Sequence, residues 1–242
     1  MIVGKRSLKP KNLVTILLKS KRSLINNTLM SPIQTQLLTD TWVTATWEEY
    51  LAALDNPAYA NARGYYFNGR MRLEMSPLGN PHSRDHATII AALYLFAALR
   101  NIDLDAHDNC TYRKTGFNEA QPDASFYIAD NAEIIPWETP IIDLDQFLSP
   151  DLVIEVAYSS LADDKGEKRL LYESLGVQEY WIIDVQAVKV IAFEVKNQGS
   201  YRIKKSHVLP GLQMGILEEA FRRSRQTNHG KVSAWLLSQF QG

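Results

Sequence analysis

Asp151-Leu-Val-Ile-Glu155-Val-Ala157, then Gly166-Glu167-Lys168-Arg-Leu-Leu-Tyr172, then Glu179-Tyr-Trp-Ile-Ile-Asp184 read as strand, helix and strand. The outer pieces are short apolar runs rich in β-branched residues, the pattern of buried strands. In the middle piece, Asp164 with Glu167 three residues on resembles a capping box, and Gly176 is placed to end the helix. A strand, a crossover helix and a second strand predict a parallel pair inside a covered sheet. The fold class that follows is α/β, a central mixed sheet flanked by helices on both faces.

Glu155 breaks the pattern. It sits mid-strand on the same face as Val153 and Ala157. An ionised carboxylate removed from water is costly unless it is paired or binds a metal. Lys168, Leu171, Tyr172 and Leu175 share one helical face by their spacing, and that face looks towards the sheet. A carboxylate on the strand and an ammonium on the covering helix therefore enter the same space. A structural ion pair is one reading. A functional site is the preferred one, because perturbed charges cluster at active sites.

Working outward, the chain has 242 residues, 45% hydrophobic and 22% charged, ordinary values for a globular protein. The single cysteine, Cys110, leaves no internal disulfide and no paired-cysteine zinc site. It fits a reducing compartment, so a cytoplasmic location is expected. Seven bases (Lys5, Arg6, Lys9, Lys11, Lys19, Lys21, Arg22) and no acid occupy residues 1–29, which leaves 19 basic against 27 acidic residues elsewhere, a net −8. That acidic balance argues against broad electrostatic binding to nucleic acid. Residues 1–40 are expected to be a disordered basic extension, with translation starting at Met30 as an alternative account of the first 29. The apolar patch Leu13 to Leu18 is too short to span a membrane, as is every other apolar run.

Elsewhere, Thr46 to Leu54 reads as a short helix with Thr46 and Glu49 as its capping box. Tyr65 to Phe67 and Arg70 to Met75 form a hairpin around Asn68-Gly69. Ser76-Pro77 to Pro81 reads as a loop, and His86 to Leu99 as a buried helix. Strands are predicted over Ile102 to His107, Asn109 to Arg113 and Ala124 to Ile128, with a loop-rich stretch up to Pro150. Val188 to Glu194 and Tyr201 to Lys204 read as antiparallel strands. Two short peripheral helices follow, over Leu217 to Arg225 and Val232 to Phe240. The expected layout is a main domain over residues 41–195, with residues 196–242 packed on it.

The second acid is Asp123, after Pro122 at the mouth of a strand. A site for a hard cation needs carboxylate oxygens from different strands side by side. Asp151 does not qualify beside Glu155. Both lie on one strand, four residues or roughly 13 Å apart at about 3.3 Å per residue. There is no Gly-rich phosphate loop and no His-Glu-x-x-His, which removes nucleotide-driven transfer and zinc hydrolysis from consideration.

Pro122-Asp123, Glu155-Val-Ala157 and Lys168 resemble the PD-(D/E)XK nuclease superfamily, with its restriction-endonuclease-like core. More narrowly, Trp47 to Glu194 is similar to the Uma-two family of restriction endonuclease-like proteins. The matching pieces are Met75-Ser-Pro77, His86, Gln121-Pro-Asp123, Pro150 to Val156, Asp164 to Lys168, Tyr172 and Gly176 to Asp184. One departure is Ala157, where the superfamily's Glu-X-Lys places its lysine. The resemblance implies that Lys168 supplies the amine from the next helix, with Lys165 as the fallback. It also implies Mg²⁺ or Mn²⁺ held by Asp123 and Glu155, with Glu74 as a third acid or else a solvent-facing strand residue. His86 is read as a phosphate contact or a structural residue, Tyr172 as a hydrogen-bond donor into the site or a packing residue, and His82 as an ordinary loop residue. DNA would be the substrate and a homodimer the assembly. A nuclease-like scaffold that binds or regulates without cutting is the alternative, and hydrolysis of another phosphodiester, such as RNA, is a weaker third.

Overall fold

The computed structural model describes residues 37–75, 78–197 and 199–241. The expectations for residues 1–36 and for Ser76-Pro77 lie outside that range. In chain order the elements are β1 (Val43–Thr44), α1 (Trp47–Leu54), β2 (Arg63–Phe67), β3 (Arg70–Glu74), α2 (Asn80–Arg100), β4 (Leu104–Asp108), β5 (Tyr112–Lys114), β6 (Asn118–Ala120) and β7 (Ala124–Ile128). They continue as β8 (Ile142–Asp143), β9 (Leu152–Ala157), α3 (Leu161–Lys165), α4 (Glu167–Leu175), β10 (Glu179–Asp184), β11 (Lys189–Lys196), β12 (Gly199–Ile203), α5 (Met214–Ser224) and α6 (His229–Phe240).

The deciding stretch folds as its pattern predicts. β9 and β10 run parallel, with Glu155 beside Ile182. They lie at the centre of a mixed six-stranded sheet ordered β12-β11-β10-β9-β7-β4. The crossover helix is broken, however. Gly166, with φ −100° and ψ −110°, separates α3 from α4. Asp164 is therefore not a cap but a buried member of α3, where its carboxylate accepts a bond from the Ser160 hydroxyl at 2.6 Å. Gly176 ends α4 in the left-handed region, at φ +78°.

One mixed sheet was expected and two are present. The second, ordered β1-β3-β2-β6-β5-β8, is built on the hairpin of β2 and β3. Its turn residues Asn68 (φ 51°) and Gly69 (φ 71°) take the left-handed pair that a two-residue hairpin loop requires. The Thr46 capping box of α1 is present in both directions.

Alternation along β9 sorts its side chains between two cores. Leu152, Ile154 and Val156 face α2, α5 and α6, in a core with Phe96, Trp181, Phe221 and Phe240. Val153 and Ala157 face α4 and the second sheet, among Tyr65, Leu171, Tyr172 and Tyr180. Each fully buried large apolar side chain contributes about 1.5–3 kcal/mol, so both cores matter to stability. The C-terminal helices are not peripheral: Phe240 packs edge-on against Phe96 of α2, ring centroids 5.1 Å apart. The long helix α2 begins at Asn80, six residues earlier than predicted, with Pro81 in its first turn. Proline is tolerated there because a first-turn amide has no helical acceptor to lose, so placing Pro81 in the preceding loop misplaced the helix start.

Candidate active site

Glu155 and Asp123 face each other across two antiparallel strands. The β7–β9 register pairs Ala124 with Ile154, and one further step sets Asp123 opposite Glu155. Directly opposite residues hold their Cβ atoms about 4.5–5.5 Å apart. Asp123 Oδ2 accepts the amide of Val156 at 2.7 Å, which ties the acid to the strand that carries Glu155. On the β2–β3 hairpin, Arg63 pairs directly with Glu74. Arg63 donates to Glu74 Oε2 at 2.8 Å and to Asp123 Oδ1 at 2.5 Å, so Glu74 joins the group through a guanidinium.

Lys168 of α4 closes the cluster from the helix side. Its amine lies 2.9 Å from Glu74 Oε1, 3.2 Å from Asp164 Oδ1 and 3.3 Å from Glu155 Oε2, and 4.2 Å from the centre of the Tyr65 ring. Only 1% of the Lys168 side chain is exposed. Burial opposes its charge, but Asp164 and Glu155 outweigh burial and hold its pKa well above the ordinary lysine value. Burial pushes Glu155 up to about 8, since Lys168 divides its charge among three carboxylates and the Asp123 charge adds to the rise. Burial would also raise Asp123 and Glu74. For Asp123 the His82 hydrogen bond and Arg63 reverse that and hold it well below the usual range, and for Glu74 Lys168 and Arg63 bring it to about 2. Tyr172 donates to Glu155 Oε1 at 2.6 Å, and the Tyr65 hydroxyl lies 3.4 Å from the same oxygen.

The Uma2 family model, described as "Putative restriction endonuclease", matches residues 47–240. The chain belongs to the Uma2 family. A solved structure of a putative nuclease belonging to DUF820, from Anabaena variabilis ATCC 29413, is similar at 20% identity, covering 79% of this chain and 99% of that one with a TM-score of 0.49. No curated protein matches.

In this Uma2 chain the structure gathers Glu74, Asp123, Glu155, Lys168 and Tyr172 into one buried cluster. Glu74 is 8% exposed, not solvent-facing. Lys165 is exposed at the end of α3 and its backbone carbonyl accepts from Arg169. His86 lies 3.5 Å from Asp108 on β4. His82, expected to be a loop residue, is instead buried in the first turn of α2, with Nε2 3.3 Å from Asp123 Oδ2. Sequence reading also missed Arg63, Arg72 and Asp164. The Arg63–Glu74 pairing was within reach, because a two-residue turn at Asn68-Gly69 fixes every cross-strand pair of the hairpin. Beside the cluster lies a cleft of about 330 Å³, whose lining includes Arg63, Arg72, Glu74, His82 and Ser160 but not Asp123, Glu155 or Lys168, which are buried behind it.

The donor set can be tested against a divalent ion. Among the described residues, no three His, Cys, Asp or Glu side chains stand arranged as a metal cage. Magnesium does not need one: it is held by one or two carboxylates and keeps several waters. Asp123 opposite Glu155, oxygen donors only, meets that requirement in kind. No helix among the described residues is long and apolar enough to cross a membrane.

Proposed function

We propose that this chain is a metal-dependent endonuclease that hydrolyses phosphodiester bonds of DNA, with Asp123, Glu155 and Lys168 as its catalytic residues. The observation that carries the reading is the meeting of Lys168 with Glu155 at 3.3 Å, beside an Asp123 set opposite on the neighbouring strand. Membership of a family described as restriction endonucleases supports the substrate class.

Asp123 and Glu155, with Glu74 beside them, would hold Mg²⁺ or Mn²⁺, which supplies charge neutralisation at the scissile phosphate and a more acidic bound water. Lys168 stays an ammonium, because three carboxylates surround it. Its part is therefore to orient the attacking water or to stabilise charge building on the phosphate, not to remove a proton. Tyr172 is a neutral donor to Glu155 Oε1, while the Tyr65 hydroxyl, which donates to the Gln121 carbonyl at 2.7 Å, lies 3.4 Å from the same oxygen; Oε2 is left towards the amine. The cleft lined by Arg63, Glu74 and His82 is the side from which a phosphate would approach the cluster. Cutting both strands of a duplex calls for two such sites, which a homodimer provides.

The other reading is a nuclease-like scaffold that binds without cutting. It is favoured by the Arg63 guanidinium lying on Asp123 and Glu74. Incubation of purified protein with plasmid DNA in Mg²⁺, Mn²⁺ or EDTA separates the two. The enzyme reading expects metal-dependent nicking or linearisation that EDTA stops and that a folded Asp123→Asn variant lacks. Cleavage unchanged in Asp123→Asn points to a contaminant, and no cleavage in any metal favours the scaffold.

A further inference from the structure

Arg63 occupies the two carboxylate oxygens that nothing else among the described residues holds. On Asp123, Oδ2 takes the Val156 amide and faces His82, while Oδ1 meets Arg63 Nη1 at 2.5 Å. On Glu74, Oε1 meets both Arg72 Nε and Lys168 at 2.9 Å, while Oε2 meets Arg63 Nη2 at 2.8 Å. One guanidinium thus bridges the free oxygen of an acid on the central sheet to the free oxygen of an acid on the hairpin. A cation ligated by Asp123 and Glu74 would need those same two oxygens.

Arg63 is also the cluster cation best placed to leave. Its side chain is 19% exposed, against 1% for Lys168 and 5% for Arg72, and it lines the cleft. The buried acids need a cation at all times, since an uncompensated buried carboxylate is costly. We infer that Arg63 is the resident cation of this seat: it neutralises Asp123 and Glu74 when no divalent ion is bound, and it swings into the cleft when one is. The inference rests on the metal-dependent reading above and adds a built-in competition to it. A binding-competent seat that is populated a fraction of the time weakens apparent affinity by that fraction. Once displaced, Arg63 stands in the cleft as a guanidinium available to a phosphate oxygen, for which its forked donors are suited.

The test is calorimetric titration of Mn²⁺, without DNA, into the wild-type chain, Arg63→Ala, Arg63→Gln and Asp123→Asn at pH 8. The expected result is binding about tenfold tighter or more in both Arg63 variants, and loss of binding in Asp123→Asn. Equal or weaker binding in folded Arg63 variants, with wild-type binding lost in Asp123→Asn, overturns the Arg63 inference and leaves the metal-dependent reading standing. No binding by the wild type and the Arg63 variants alike overturns both. Should the variants not fold, the Arg63 side-chain Nε–H resonance of the wild-type protein decides. It is expected to shift on saturation with Mg²⁺, and a signal that stays in place overturns the inference.

Discussion

Replacing Lys168 with methionine removes the charge at the centre of the cluster and keeps most of the side-chain volume, so packing loss stays small. The structure fixes what is left behind: carboxylates of Glu74, Asp164 and Glu155 that lay 2.9, 3.2 and 3.3 Å from the amine, all at 7% side-chain exposure or less. Taking one partner from a buried ionic group costs about 3–5 kcal/mol, because the remaining charges stay desolvated. For a chain of this size about 1 kcal/mol moves Tm by roughly 2–4 °C, so a fall of about 6–20 °C is expected at pH 8. The pH dependence has a definite sign. The folded-state pKa of Lys168 lies above its ordinary 10.5, so its contribution is complete throughout pH 5–8 and fades only at higher pH. Within that window Lys168 itself does not change, but the acids beside it do. Burial has already raised Glu155 and Asp164, and without the lysine they take up protons as the pH falls. The penalty should therefore be large at pH 8 and shrink towards pH 5. Urea unfolding followed by tryptophan fluorescence at both pH values measures it. A loss below about 1 kcal/mol at pH 8, or an equal loss at both, refutes the claim that Lys168 compensates this cluster.

Two more outcomes follow from the same contacts. Glu155 is raised from 4.5 to about 8 by burial, so its proton stabilises the fold fully below pH 4.5 and that stability is lost as pH rises through 8. Glu155→Gln should flatten the wild-type decline across that window, whose slope reaches about 1.4 kcal/mol per pH unit, and parallel stability curves for the two proteins would contradict it. One turn beyond His82 on α2, Asp85 is fully buried and receives both terminal nitrogens of Arg225, one at 2.6 Å. Arg225→Ala should therefore cost about 3–5 kcal/mol in urea unfolding while leaving Mn²⁺ affinity unchanged, and a shift in that affinity would show that the C-terminal helices reach the site.

The parts of the fold that were legible are those whose signal is local. β9 and β10 announce themselves as apolar runs, the β2–β3 hairpin by Asn68-Gly69, and α1 by its capping box. The missed strands, Val43–Thr44, Asn118–Ala120 and Ile142–Asp143, are two or three residues long, and pairing partners remote in sequence create them. Glu155 and Lys168 were legible because a charge in an apolar strand and a charge on an inward helix face are both anomalies. His82 was hidden by the misplaced start of α2, since placing Pro81 in the preceding loop leaves the turn that carries it outside the helix. Arg63 was hidden for a different reason. At the start of a hairpin strand an arginine is ordinary in sequence, and only the packing of the second sheet over the first turns it towards Asp123.

The cluster is a poor device for stability alone. Replacing buried ion groups with well-packed apolar residues is often neutral or stabilising, so holding the second sheet to the first does not call for four carboxylates and three bases. The imbalance is the informative part. Glu74, Asp123, Glu155 and Asp164 face Lys168, Arg63 and Arg72, with His82 3.3 Å from Asp123 and Asp163 3.1 Å from Arg72. Carboxylates are in excess, and the excess falls on Glu155, the acid that burial drives towards its protonated form and that stands opposite Asp123. A site that exchanges one tethered monovalent cation for a free divalent one is served by such a surplus of acids over bases. A scaffold kept only for binding has no use for that surplus, so the charge count adds to the meeting of Lys168 with Glu155 in favouring the enzyme over the scaffold.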